Sequence, residues 1–231
     1  MSRMVQATGL TYSYEDGTQA LKGIDFGLDD GKTVALLGAN GSGKTTFALH
    51  LNGILRASAG KVVIDGLEVT NANLRAIRQR VGLVFQDSDN QLFMPTVLED
   101  VAFGPLAAGL SVDNATEKAN AALEKVGMAH KSGKAPWLLS AGEKKRVAIA
   151  GILAGEARLL VLDEPTTFLD PPGQRGLADL LESLPQAKIL ITHDVPFARR
   201  LTGDAVFFSN GTIAARDTVA EIVARFDWSA A

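Results

Sequence analysis

Residues 38–45 have the sequence G-A-N-G-S-G-K-T and lie between an apolar run and a helix-like pattern. The preceding run, residues 34–37, has the length and composition of a buried strand. The stretch that begins at Thr46 has the spacing of a helix packed on that strand. A strand, a glycine-rich loop and a helix in this order predict an anion site built from backbone N–H groups and the helix N-terminus. We therefore expect the chain to bind a nucleoside triphosphate.

Within this loop the glycines suit unusual backbone dihedrals and a close approach to the ligand. Lys44 is expected to reach the outer phosphates as a compact positive charge, and the hydroxyl of Thr45 to ligate Mg²⁺. The predicted phosphate-binding residues are Gly38, Ala39, Asn40, Gly41, Ser42, Gly43, Lys44, Thr45 and Thr46.

Composition limits the classes of protein to consider. With 231 residues, 46% of them hydrophobic, the chain can bury the core of one large domain. A net charge of −3 does not favour nucleic acid as a partner, and the lack of cysteine excludes disulfides and thiolate metal sites. The N-terminus lacks a signal-peptide core, and the most apolar stretch, residues 147–154, is too short to span a bilayer. We expect a soluble protein that reaches a membrane only through a partner.

Further strand-like runs end in polar residues. These runs cover residues 81–85, 159–162 and 188–192, and they lead to Gln86, to Asp163 and Glu164, and to His193. In open α/β sheets, ligands bind outside the carboxyl ends of the parallel strands. The pattern predicts an α/β fold that brings these residues and the phosphate loop to one crevice.

The adjacent carboxylates Asp163 and Glu164 are expected to have different roles, because neighbouring side chains at a strand end point in different directions. Asp163 would hold Mg²⁺ through water, and Glu164 would face the attacking water as a general base or positioning group. The alternative is a solvated acidic turn before Pro165.

Residues 139–150, L-S-A-G-E-K-K-R-V-A-I-A, carry a capping-box pattern at Ser140 and Glu143, which predicts the start of a helix. The segment also resembles the signature motif of the ATP-binding-cassette (ABC) ATPases. Other motifs of that family follow in order: residues 38–45 match the Walker A loop, residues 159–164 the Walker B strand, Gln86 the Q-loop, Asp170 the D-loop and His193 the switch histidine. The resemblance covers nearly all of residues 5–215.

The resemblance implies a P-loop NTPase core with a parallel sheet, a small antiparallel β-subdomain and a helical subdomain. The chain would be a single domain, residues 1–231, with the core and β-subdomain in residues 1–86 and 158–231 and the helical subdomain in residues 87–157. The implied ligands are ATP and Mg²⁺. The implied catalytic residues are Glu164, His193 and Lys44, and the implied metal ligands are Thr45, Gln86 and Asp163.

The family works as a head-to-tail dimer with two ATP molecules at the interface. The resemblance therefore implies that the signature residues of one subunit face the nucleotide of the other, and that Asp170 couples the two sites. These signature residues are Ser140, Ala141, Gly142 and Glu143. Tyr14, taken to lie shortly before the first strand, matches the aromatic that stacks on adenine. Tyr12 and a merely exposed hairpin tyrosine are the alternatives.

Two positions depart from the common family pattern. Ala141 stands where the signature usually has its first glycine, so we expect a slightly changed contact with the γ-phosphate because alanine disfavours positive φ. Phe168 stands where the D-loop commonly has a small residue.

Residues 87–93 (D-S-D-N-Q-L-F) and 96–104 (T-V-L-E-D-V-A-F-G) resemble the ATPase subunits of energy-coupling-factor importers, which take up vitamins and transition-metal ions. In that family a groove after the Q-loop receives a short helix of the membrane partner. Leu92, Phe93 and Met94 would either line such a groove or form core. The chain ends soon after a hairpin turn at residues 209–212 and a helix capped by Thr218, which fits the compact biotin-type group.

The resemblance thus implies an ATPase on the cytoplasmic face of a membrane, which powers uptake of a vitamin, with biotin preferred, or of a transition-metal ion such as cobalt or nickel. Its partners would be a second ATPase subunit, identical or paralogous, a transmembrane coupling subunit and a substrate-binding membrane subunit. The alternatives are the ATPase of another ABC importer type, a non-transport ABC ATPase and a nucleotide-binding regulatory module.

Overall fold

The computed structural model describes residues 2–87 and 91–228, which contain two β-sheets and eight α-helices. Ser88, Asp89 and Asn90, which belong to the segment that resembles importer ATPases, lie outside the described residues. In the part of the chain that is described, none of the helices combines the length and the apolar character needed to cross a membrane.

In chain order the strands are β1 (Arg3–Ser13), β2 (Gln19–Asp29), β3 (Thr33–Leu37), β4 (Ala59–Ile64), β5 (Leu67–Glu68), β6 (Val81–Val84), β7 (Leu159–Asp163), β8 (Ala187–Ile191), β9 (Asp204–Ser209) and β10 (Thr212–Thr218). The helices are α1 (Lys44–Leu51), α2 (Leu74–Arg80), α3 (Val97–Ala107), α4 (Val112–Lys125), α5 (Ala141–Ala154), α6 (Pro171–Ser183), α7 (Val195–Leu201) and α8 (Val219–Phe226).

The larger sheet has the strand order β10-β9-β3-β8-β7-β6. All of its pairings are parallel except that of β10 with β9. Strands β6, β7 and β8 are buried along their whole length, which explains their unbroken apolar sequences, since helices or a second sheet cover both faces. The predicted α/β fold class with a parallel sheet is confirmed.

The smaller sheet is antiparallel, with the order β2-β1-β4-β5, and packs over one face of the larger sheet. The core between them includes α1, whose Phe47 lies edge-on to Phe26 at 5.0 Å and contacts Phe208 at 5.7 Å between ring centroids. Burial of these rings holds α1, and with it the loop that precedes α1, in a set position between the sheets.

Helices α3, α4 and α5 lie in sequence between β6 and β7 and share a second core with the other face of the larger sheet. They fall within residues 87–157, and the division of the chain into subdomains at those bounds stays a prediction. The capping box predicted at Ser140 is confirmed, since its side chain accepts from the backbone N–H of Glu143.

The C-terminal elements also follow local sequence signals. Strands β9 and β10 are joined by a tight turn in which Asn210 and Gly211 have φ of 49° and 81°, as a two-residue hairpin turn requires. Helix α8 begins after Thr218, whose hydroxyl and Glu221 form a second capping box of the predicted kind.

Gly82 of β6 lies close against α5. A Cβ atom added to Gly82 would lie 2.0 Å from Cγ2 and 2.9 Å from Cβ of Ile152. We predict that Gly82→Ala lowers the free energy of unfolding by about 1–3 kcal/mol, because a β-branched side chain cannot move aside without shifting α5. Urea unfolding would measure the change.

The control is the double variant Gly82→Ala/Ile152→Ala. If the contact with Ile152 is the cause, adding the second substitution should cost less in the Gly82→Ala background than in the wild type. Strict additivity of the two free-energy changes would contradict this explanation.

Candidate nucleotide site

The loop between β3 and α1 has a backbone path that only glycine can follow at two positions. Gly38 has φ of 134°, and an added Cβ atom would lie 2.2 Å from the carbonyl oxygen of Phe208. Gly43 has φ of 107°, and an added Cβ atom would lie 2.8 Å from the carbonyl oxygen of Ala20. Positive φ and close backbone contact together exclude larger residues, so the loop is held in shape by the strands around it.

Lys44 opens α1 and is 6% exposed. Its Nζ donates to the carbonyl oxygens of Gly38 at 2.6 Å and Ala39 at 2.9 Å. Burial lowers the pKa of Lys44, while the charges of Glu164 and Asp163 act to raise it. The ammonium therefore lies on the inner side of the loop and faces two carboxylates, where it can meet an anion.

Thr45 and Asp163 place two oxygen atoms side by side. The hydroxyl of Thr45 donates to Oδ2 of Asp163 at 2.8 Å across 118 positions of sequence. Burial raises the pKa of Asp163, and the bond from Thr45 opposes that rise. Together with Gln86, which lines the same cavity, they offer a set of hydroxyl, carboxylate and amide oxygens. A hard cation that keeps part of its water shell, such as Mg²⁺, accepts this set.

The described residues contain no cluster of three or more His, Asp or Glu side chains that would hold a metal on their own.

Glu164 and His193 form a second pair beside the first. Oε2 of Glu164 lies 2.9 Å from Nδ1 of His193. The backbone of Glu164 has φ of 45°, a strained conformation for glutamate that is held by its N–H bond to the carbonyl oxygen of Ile191 at 2.8 Å. Such strain costs of order 1–3 kcal/mol and concentrates at functional sites. Asp163 thus points to Thr45 and Glu164 to His193, in the divergent arrangement expected of neighbouring residues.

These groups surround a cavity of about 470 Å³. The predicted residues that line it are Tyr14, Asn40, Gly41, Gly43, Lys44, Thr45, Thr46, Gln86, Asp163 and Glu164. His193 lines a neighbouring cavity of about 430 Å³ together with Gln86, so Gln86 lies between the two. Sequence analysis missed several lining residues, namely Thr18, Gln19, Ala20, Lys22, Asn210 and Gly211. Their one sequence signal is the Asn-Gly turn, which does not itself indicate a ligand.

Tyr14 was expected to lie shortly before the first strand. It instead directly follows β1, in the turn before β2. It is 40% exposed, lines the larger cavity and shares a hydrogen bond of 2.9 Å with the hydroxyl of Thr46. Tyr12 packs edge-on against Tyr14 and against the buried His50, and it is not among the residues that line the cavity.

The signature residues Ser140, Ala141, Gly142 and Glu143 form the start of α5 and do not line the cavity of their own chain. The carboxylate of Glu143 has a structural role, since it accepts from the backbone N–H of Ser140 and pairs with Lys131. The contact with Lys131 lowers the pKa of Glu143. Asp170 caps α6, where it accepts from the backbone N–H of Gly173 at 2.8 Å.

The two departures from the family pattern have different outcomes. Ala141 occupies the first turn of α5 and is not among the residues with positive φ, so the expected effect on the γ-phosphate contact loses its basis. Phe168 has φ of 66° and is 76% exposed, which makes it a strained and solvent-facing aromatic beside Asp170.

Asp163→Asn is predicted to raise the midpoint of thermal unfolding at pH 8, measured in EDTA without nucleotide. Burial raises the pKa of Asp163 in the folded state above its value in the unfolded state. The protonated Asp163 side chain therefore contributes its full stability below the unfolded-state pKa, and this contribution is lost as the pH rises through the folded-state pKa. Asparagine does not titrate and can still accept from Thr45. The advantage of the variant should therefore shrink as the pH falls towards 4.

Asp16→Asn is the matched control with the opposite sign. Hydrogen bonds from Thr18 lower the pKa of Asp16, so its contribution is present above the unfolded pKa and is lost at low pH. This variant should be less stable at pH 8, by an amount that also shrinks on acidification. A difference between wild type and Asp163→Asn that does not change with pH would contradict the assignment.

Comparison with known proteins identifies the family. The model of the ABC transporter family matches residues 21–167. The energy-coupling factor transporter ATP-binding protein EcfA of Methanosphaera stadtmanae is 48% identical over 227 residues, which cover 96% of this chain and 82% of that protein.

Solved structures support the same family. The structure of cbiO1 from Clostridium perfringens, part of the ABC transporter complex cbiONQ, superposes with a TM-score of 0.87 at 36% identity, covering 98% of this chain and 93% of that one. The dimeric ATP-binding cassette MJ0796, in a post-hydrolysis state with ADP and Pi, superposes with a TM-score of 0.84 at 26% identity and covers 94% and 99% of the two chains. This chain therefore belongs to the ABC transporter ATPases and is an ATP-binding, ATP-hydrolysing subunit of the energy-coupling-factor type.

Proposed function

We propose that this chain dimerises and powers uptake of a vitamin, with biotin as first candidate, or of a transition-metal ion through an energy-coupling-factor transporter. The observation that carries the ATP-driven part of the proposal is the convergence of Lys44, Thr45, Asp163 and Glu164 on one cavity at the carboxyl ends of parallel strands. The likeness to EcfA of Methanosphaera stadtmanae supports the type of transporter. That arrangement suits the transfer of a phosphoryl group to water, in which positioning and charge stabilisation do most of the work.

The loop residues 38–46 would bind the phosphates through backbone N–H groups, and Lys44 would exchange its bonds to loop carbonyls for bonds to the outer phosphates. Thr45, Gln86 and Asp163 would hold Mg²⁺, which supplies positive charge to the phosphate oxygens when bound. Asp163 could take this role without moving far, because the Thr45 hydroxyl already lies against it.

Glu164 would act on the attacking water. Its carboxylate would accept a proton from water as the water oxygen bonds to the terminal phosphorus and the bond to the leaving diphosphate breaks. His193 would orient that carboxylate through the 2.9 Å contact of Nδ1 with Oε2, and its exposed ring would face the phosphate from the neighbouring cavity. We assign Nδ1 of His193 as the donor in this contact and the carboxylate oxygen of Glu164 as the acceptor.

The start of α5 supports a dimer. Ser140, Ala141, Gly142 and Glu143 lie outside the cavity of their own chain, and the N-terminus of this helix is a suitable contact for the phosphates of a second subunit. The related cassette MJ0796 is dimeric in its solved structure. Asp170 would couple the two sites across the interface, and Tyr14 would stack on adenine at the edge of the cavity. The second subunit is an identical copy or a paralogue.

A groove of about 330 Å³ supports docking to a membrane subunit. Its apolar wall includes Phe93 and Phe103, which are 64% and 45% exposed and lie edge-on at 5.1 Å. Leu92 also lines the groove, but it packs against the helical core as well. We propose that an apolar helix of a transmembrane coupling subunit lies in this groove, which would place the chain at the cytoplasmic face of the membrane beside a substrate-binding subunit.

Purification from native membranes in mild detergent would test the assembly and identify the cargo. Two small and different apolar proteins that co-purify with a bound vitamin or metal ion would support the proposal. A pair of larger transmembrane subunits would point instead to another ABC importer type.

Glu164→Gln is predicted to retain ATP binding but to lose hydrolysis by about 10²–10⁴-fold, because the amide cannot take the proton from water. It should also accumulate as an ATP-bound dimer, which light scattering with and without ATP would detect. Turnover close to that of the wild type would place the base elsewhere.

The matched variant Lys44→Ala should weaken ATP binding itself, and an unchanged ATP affinity would contradict the role of Lys44.

Phe93→Ser is predicted to lower the recovery of membrane subunits with this chain, because it removes the most exposed aromatic of the groove. ATP turnover of the isolated protein should change by less than about twofold, since Phe93 does not line the nucleotide cavity. Val112→Ser is the control, since Val112 is 68% exposed but lies outside the groove. Equal recovery of membrane subunits by both variants would contradict the docking site.

A further inference from the structure

A buried lysine joins helix α5 to the end of strand β6. Lys145 is 2% exposed, and its Nζ donates to the carbonyl oxygens of Phe85 at 3.1 Å and Gln86 at 2.8 Å. Strand β6 ends at Val84, so both carbonyls lie beyond its ladder with β7. Lys145 therefore supplies hydrogen bonds at the point where the sheet no longer does.

This position is costly for a positive charge. Burial lowers the pKa of Lys145, and the charges of Asp87 and Asp163 offset part of that effect. An apolar residue would fill the same space in α5 without this cost, but it would leave two partly buried backbone carbonyls without the donor that now serves them. The hydrogen bonds to this short segment are thus the physical reason for an ammonium here.

The segment that Lys145 holds is part of the nucleotide site. Gln86 lines both the cavity of the phosphate loop and the cavity of His193. The direction of that side chain follows from its backbone, which is tied to the same helix that begins with Ser140. A shift of α5 relative to the sheet would therefore move Gln86 with it.

We propose that Lys145 is a positioning residue, which holds the backbone of Phe85 and Gln86 so that the Gln86 side chain faces the Mg²⁺ and phosphate site. The inference rests on the proposed function, because it assigns Gln86 to that site. It adds a physical link between α5 and the bound nucleotide, and this link is the side chain of Lys145.

Lys188 is a matched control elsewhere in the sheet. It is also buried, at 5% exposed, and its Nζ donates to two backbone carbonyls, those of Leu184 at 2.5 Å and Gln186 at 2.9 Å. It lies near the start of β8, at the edge of the sheet opposite to Gln86. Replacing either lysine with methionine removes one buried ammonium and the donor for two carbonyls, but only Lys145 serves the site.

The experiment compares full-length wild type, Lys145→Met, Lys145→Gln and Lys188→Met. Hydrogen exchange of residues 84–87 should speed up in Lys145→Met and stay unchanged in Lys188→Met. In Lys145→Met, kcat should fall by about tenfold, and the Mg²⁺ concentration for half-maximal turnover should rise severalfold. ATP affinity in EDTA should stay within about twofold, because the phosphate loop is intact.

Lys145→Gln keeps an amide donor and should therefore recover part of the kcat and part of the exchange protection that Lys145→Met loses. If Lys145→Met does not fold, Lys145→Gln is compared with the wild type in its place. Equal effects of Lys145→Met and Lys188→Met on kcat, or unchanged exchange of residues 84–87 in Lys145→Met, would overturn the inference. A wild type that binds ATP but does not hydrolyse it would contradict the proposed function instead. In that case the exchange measurement would still decide whether Lys145 holds this backbone.

Discussion

The parallel ladder of β3, β8, β7 and β6 is the constraint on which the rest of the structure depends. Ile191 of β8 pairs with Leu36 of β3 on one side and with Asp163 of β7 on the other. This register brings the phosphate loop after β3 and the carboxylates after β7 to the same edge, although they are far apart in sequence. The 2.8 Å bond between Thr45 and Asp163 is its direct result. A change of register by one residue would turn these side chains to opposite faces of the sheet.

The site concentrates charge on side chains that are nearly buried. Lys44, Lys145, Asp163 and Glu164 are all less than 9% exposed, and each lies near charge of the opposite sign. Burial shifts the pKa of Asp163 upwards and those of the two lysines downwards, so the folded state without ligand bears a cost for holding these groups ionised. A bound polyanion with its cation would offset that cost, which links ligand binding to stability.

The helical segment connects this site to two other surfaces. Helix α5 begins at Ser140, contributes Lys145 to the end of β6, and lines the apolar groove through residues near Ile152. The close contact of Ile152 with Gly82 fixes the seating of α5 on the sheet. A single helix therefore contacts the segment that carries Gln86, the groove proposed for a membrane subunit and the surface proposed for a second ATPase.

Local sequence determined a large part of this protein. The phosphate loop, the buried strands, the capping boxes at Ser140 and Thr218 and the hairpin turn at residues 209–212 follow from patterns within a few residues, since their geometry is set by backbone dihedrals and nearby hydrogen bonds. Tertiary structure alone decided that Tyr14 follows β1, that Thr45 meets Asp163, and that Lys145 reaches Gln86. These features depend on strand pairing and on the seating of α5, which bring together residues distant in the chain and leave no mark in the local pattern.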